Sequence, residues 1–127
     1  MFKKLRGGLK AMEDECYFTI SGVNHYHGIK PFKIGKILKL IKEPDNDYDQ
    51  EAIKVQMRYA GDVGYVSNSV KTVAKGTMSA GRLYDKILDE DYAIVKFAID
   101  DYVIAKTLSQ KELDEQKDNP DSDINYI

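Results

Sequence analysis

The sequence predicts a mainly β domain with short helical pieces, arranged as a small barrel or a partly open sheet. Three observations lead there. Short runs of alternating apolar and polar residues recur along the chain, turn residues separate them, and only one stretch in that region carries a helix-start signal. The run 17–23 alternates and reads as a first strand. A loop follows with His25, Tyr26, His27, Gly28 and Pro31, and then a second strand centred on 37–41 within the stretch 34–43. Pro44, Asp45, Asn46, Asp47 and Asp49 are turn chemistry, because proline fixes φ while Asp and Asn side chains bond back to nearby amides. The segment 52–58 is a third strand, and Ala60, Gly61 and Asp62 turn it into a fourth at 63–66. Ser67 reads as the cap of a short helix running to about Lys75, with Val70, Val73 and Ala74 facing inward. Strands are expected again at 83–88, 92–99 and 102–108, with acidic turns at 89–91 and 100–101.

A chain of 127 residues has room for one core and a short extension. The apolar share of 43% against 31% charged residues is that of a globular protein, so a real core is expected. We divide the chain into a basic leader at 1–16, a β domain at 17–108 and an acidic tail at 109–127, expected to be disordered because charge dominates it. In the leader, Phe2, Leu5, Leu9 and Met12 fall at helical spacing, but the adjacent Gly7 and Gly8 oppose a stable isolated helix. The single cysteine, Cys16, excludes an internal disulfide. No apolar run approaches the ~20 residues that cross a bilayer, and the leader lacks the features of a secretory signal. A cytoplasmic protein without a membrane partner is the expectation.

The formal charge is −2, but its distribution matters more than its sum. The tail from Lys106 holds three lysines against six acids, while the preceding stretch from Tyr17 to Ala105 balances to zero. The folded part therefore has room for a basic face.

Three patterns imitate chemical sites. Gly76 to Leu83 has the glycine spacing of a phosphate-binding loop, but Arg82 replaces its lysine and Leu83 its magnesium-binding hydroxyl. Asp45, Asp47, Asp49 and Glu51 resemble the start of a calcium loop, but Gln50 and Gln56 stand at its glycine and final glutamate. Cys16, His25 and His27 offer at most three zinc ligands without a fourth. No metal, cofactor or catalytic residue is expected, nor an enzymatic activity. The surface pattern says more. Lys30, Lys33, Lys36, Lys39 and Lys42 lie in a stretch free of acids, with His25, Tyr26, Tyr48 and Tyr65 nearby in the sequence. Cations neutralise phosphates and flat rings stack on unpaired bases. The alternative is that the lysines solvate a strand face and the tyrosines edge the core.

A resemblance covers roughly residues 17–99. Gly22, Val23, Asn24, His25, Tyr26, His27 and Gly28 open it. The centre runs from Glu43-Pro44-Asp45-Asn46-Asp47-Tyr48-Asp49 to Ala52-Ile53-Lys54-Val55, and Val63-Gly64-Tyr65-Val66 closes it. In order and spacing this resembles the HIRAN domain, found at the front of Swi/Snf-type DNA-remodelling ATPases and as stand-alone bacterial and phage proteins. The resemblance implies an OB-like β-barrel that grips the 3′-hydroxyl end of single-stranded DNA. It implies that Tyr48 stacks on the terminal nucleotide and that Asp49 accepts a hydrogen bond from its hydroxyl, with His25, Tyr26 and Tyr65 in the same groove. Asp49 has a second reading, as the cap of the turn before Ala52. Asn24 stands where DNA-binding members carry arginine, and Ser67-Asn68 where they offer lysines, so Lys30, Lys33 or Lys36 would have to compensate. The nucleic-acid contacts expected are thus Asn24, His25, Tyr26, Lys30, Lys33, Lys36, Tyr48, Asp49, Tyr65 and Asn68. Two other functions are weighed: an adaptor for DNA repair or remodelling proteins that has lost strong DNA affinity, and a remnant of a hydrolase.

Overall fold

A computed structural model describes residues 15–100 and 102–127. Most of the leader expected at 1–16, and Asp101 of the last predicted turn, lie outside the described residues. Among the described residues there are six strands: β1 (Tyr17–Ser21), β2 (Ile37–Glu43), β3 (Ala52–Met57), β4 (Gly61–Val66), β5 (Glu90–Ile99) and β6 (Tyr102–Thr107). There are also two helices, α1 (Ala80–Tyr84) and α2 (Gln110–Asp118), and 3-10 turns at Val23–His25 and Asp123–Tyr126. The strands close into an antiparallel barrel in the order β1-β4-β3-β2-β5-β6, so the sheet is a barrel rather than partly open.

Alternation is what closes it. In β3, Ile53, Val55 and Met57 point inward while Lys54 and Gln56 stay outside. Phe18, Ile20, Leu40, Val63, Val95 and Val103 complete the same core from the other strands. Bulges at Val55/Gln56 and Val95/Phe97 add the local bend and twist that a small barrel needs.

The helix expected from Ser67 to Lys75 does not form. β1 pairs with β4 only through Ile20 and Ser21, which leaves other backbone groups of β1 without a strand partner on that edge. Residues 67–78 fill this seam as a series of turns. Ser67 N–H donates to Thr19 O at 2.8 Å and Met78 N–H to Tyr17 O at 2.8 Å. Ala74 N–H donates to Thr19 Oγ1 at 3.1 Å, whose hydroxyl also meets Thr77 Oγ1 at 2.8 Å. Val70, expected to face inward, is 95% exposed as a result. The strand expected at 83–88 is also absent. Ser79 caps α1 instead, and Leu83 and Ile87, four residues apart, are buried in the barrel core.

The acidic tail is ordered, contrary to expectation. Ser109 and Glu112 form a reciprocal capping box that starts α2, a contribution of about 1 kcal/mol. Leu113 and Ile124 bury against Ile37 and Leu108 in a second, small cluster. Two of the tail's acids have cationic partners: Glu112 meets the Lys106 ammonium at 2.7 Å, and Asp123 meets Arg58 at 3.3 Å and Lys36 at 3.5 Å. The Arg58 guanidinium also lies 3.7 Å over the Tyr126 ring. Composition alone pointed to disorder, because it counts charges without seeing which of them find counter-ions.

Candidate nucleic-acid interface

The loop between β2 and β3 is held by its own polar side chains. Asn46 Oδ1 accepts from the amides of Tyr48 at 2.9 Å and Asp49 at 3.1 Å, and Asn46 Nδ2 donates to Glu43 Oε1 at 3.1 Å. This fixes the backbone while leaving the Tyr48 ring 97% exposed. The half-buried Asp49 beside it is anchored on both oxygens. Oδ1 accepts from the Glu51 amide at 2.9 Å, and Oδ2 accepts from Asn68 Nδ2 at 2.7 Å. The expected turn cap is therefore present. Each carboxylate oxygen still keeps a free acceptor direction among these bonds, since an ionised carboxylate offers about four.

Tyr65 projects from the outer face of β4, where its hydroxyl donates to Glu43 Oε1 at 2.7 Å. Glu43 also meets the Lys54 ammonium at 2.9 Å, and Lys54 reaches Asp62 at 3.5 Å. Burial and the bond to Glu43 push the Tyr65 phenol up to about 12, with Tyr26 close enough to add to the effect. Burial raises the Glu43 carboxyl, but the donors Lys54, Tyr65 and Asn46 outweigh it and hold the group below its ordinary value.

Asn24 and His25 line a surface pocket of 400 Å³ together with Lys71, Thr72 and Tyr102. Asn68 lines another, of about 390 Å³, with Lys75 and Arg82. The 67–82 segment thus brings three cations, Lys71, Lys75 and Arg82, and reaches the anchored Asp49 through Asn68, while Tyr48 lines a separate pocket with Lys42, Asp45 and Asp47. A family model for the HIRAN domain matches residues 14–109. The chain belongs to the HIRAN domain family. Its fold is similar to the crystal structure of the HIRAN domain of human HLTF, with a TM-score of 0.51 and 20% identity, covering 82% of this chain and 84% of that one. No curated protein matches the chain.

In this HIRAN domain the expected cations divide. Lys30 and Lys33 are exposed in the loop before β2 and have no ion pair among the described residues. Lys36 does not join the rings, because it pairs with Asp123 of the tail. It also stands at the opposite end of β2 from Tyr48: the seven residues of that strand span roughly 23 Å at about 3.3 Å each. Lys39 and Lys42 are likewise engaged, by Glu90 at 3.3 Å and Asp89 at 3.9 Å. His27 Nε2 meets Ala60 O at 2.8 Å, tying the loop to the β3–β4 turn. Cys16 is buried, and no group of three or more metal-ligating side chains gathers among the described residues. In the glycine-spaced segment, the Gly81 and Arg82 amides are already taken by Asn68 Oδ1 and Ser79 Oγ.

Sequence reasoning missed Lys71, Lys75, Arg82 and Tyr102. A signal for the first three was available: residues 63–84 contain these three cations and no acid. Glu43 and Lys54 also stand in the family motif, and together they fix Tyr65.

The Tyr65 shift carries a pH prediction. A phenol raised from 10.0 to about 12 contributes stability that is complete below pH 10 and is lost as pH rises towards 12. Alkaline unfolding curves of the wild type should fall through that window more steeply than those of Tyr65→Phe. Phenolate absorbance should show one tyrosine, missing in the variant, that ionises last.

Proposed function

We propose that this HIRAN domain is a non-catalytic module that binds single-stranded DNA at a free 3′-hydroxyl end. Tyr48 stacks on the terminal base, and Asp49 accepts the hydrogen bond of the 3′-hydroxyl. Lys71, Lys75 and Arg82 neutralise the phosphates that follow, in place of the arginine and lysines missing at Asn24, Ser67 and Asn68. His25, Tyr26 and Tyr102 offer further ring faces. The observation that carries this reading is the Tyr48 ring, almost wholly exposed on a loop whose backbone is fixed by Asn46. An apolar ring held in water by a rigid loop gains nothing for the fold, whereas stacking on a base contributes about 1–3 kcal/mol.

Asp49 gives the end preference a chemical basis. An ionised carboxylate accepts from a hydroxyl and repels a phosphate, so an oligonucleotide ending in 3′-phosphate should bind several-fold more weakly than one ending in 3′-hydroxyl. Fluorescence anisotropy at low salt measures both; equal affinities, or no binding of either, would sink the proposal.

A second reading, an adaptor for DNA repair or remodelling proteins, is favoured by the exposed Phe97, Ile99 and Tyr102 on the paired strands β5 and β6. Retention of a protein partner from nuclease-treated extract, abolished by Phe97→Ser with Ile99→Ser, would support it; loss of every partner with the nuclease would return the weight to DNA.

A further inference from the structure

We infer that Asn68 is a positioning residue: it sets the direction of the Asp49 carboxylate and thereby the preference for a 3′-hydroxyl over a 3′-phosphate. This rests on the proposed reading of Asp49 and goes beyond it, because Asn68 was expected to touch nucleic acid itself. Its amide is committed at both ends instead. Asn68 Oδ1 accepts from the Gly81 amide at 2.9 Å, and Asn68 Nδ2 donates to Asp49 Oδ2 at 2.7 Å. The two ends cannot exchange. The Gly81 N–H can only donate and an ionised carboxylate can only accept, so the Asn68 oxygen must face the helix and its nitrogen the acid. Helix α1 is in turn anchored by Ala80 and Leu83, which are fully buried, so the relay starts on a rigid element.

The second anchor on Asp49 is the Glu51 amide at 2.9 Å, on the other oxygen. With both bonds in place the carboxylate plane is fixed, and its unused acceptor directions are fixed with it. With only the Glu51 bond the group turns about that single contact, and a hydroxyl donor must wait for one of several orientations. Asn68 itself is exposed and makes no contribution to either apolar cluster. Its role is directional.

Asn68→Leu is the sharpest test, since it keeps roughly the shape but removes the donor facing Asp49 and the acceptor for Gly81 without adding charge. Asn68→Ala removes both bonds without adding charge. The ratio of affinities for 3′-hydroxyl and 3′-phosphate oligonucleotides, measured by anisotropy, is the readout, because a general loss of DNA affinity moves both arms together. We expect the ratio to fall about fivefold or more in both variants, while melting curves stay near the wild type. An unchanged ratio in a folded Asn68→Leu, with the wild type discriminating, overturns the role of Asn68 and leaves the end-binding reading standing. A wild type that does not discriminate overturns both.

Discussion

Tyr48→Ala is expected to lower affinity for single-stranded DNA by about tenfold or more and to leave the melting temperature unchanged. The two halves of this expectation come from one number. A side chain that is 97% exposed contributes almost no burial to the fold, so removing it costs the barrel little. The loop survives the change because Asn46 bonds to the backbone amides of Tyr48 and Asp49, not to the ring. Binding loses the whole stack, and a base on an aromatic face is worth about 1–3 kcal/mol, where ~1.4 kcal/mol is a factor of ten. Tyr48→Phe should bind nearly as well as the wild type, because stacking uses the ring face. Anisotropy titrations of the three proteins with one 3′-hydroxyl oligonucleotide decide the matter. A Tyr48→Ala protein with wild-type affinity would mean that the ring is not the stacking surface.

The largest stability effect is expected from Gly64→Val, with a loss of about 3 kcal/mol and a melting temperature lower by roughly 10 °C. A Cβ at position 64 would sit 2.8 Å from the backbone oxygen of Ser21 and 2.9 Å from Ile20 Cγ2. Neither obstacle is the free end of a flexible chain. Ser21 O belongs to β1, and β1 touches β4 only through the pairs Ile20↔Val66 and Ser21↔Tyr65, so the short seam has to open. Opening it moves Tyr65 as well, and with it the bond to Glu43, so the Tyr65 phenol should ionise at lower pH as stability falls. Thermal denaturation and the alkaline titration of Tyr65 follow the two effects separately. A Gly64→Val protein as stable as the wild type would show that the seam can yield without cost.

The strands were legible because one face of each had to be apolar. Lys54 and Gln56 alternating with Ile53, Val55 and Met57 leave little choice about which side of β3 faces the core. The turn 44–49 was equally legible, since Asn46 acts over two or three residues. The motif from Glu43 to Asp49 was readable for the same reason. Ser109 and Glu112 also spelled out a capping box, which the charge of the tail obscured.

What the sequence determined by itself was local: the alternation, the turn chemistry, the order and spacing of the family's motifs. Only the tertiary structure decided that residues 67–78 would abandon a helix to serve the unpaired edge of β1, that Lys36 would be drawn to the tail, and that Asn68 would be bound to Asp49. These outcomes depend on hydrogen-bond and charge partners that are distant in the chain. A backbone edge or a carboxylate takes the donor that the closed barrel brings within about 3 Å, and nothing in the neighbouring residues says which one that is.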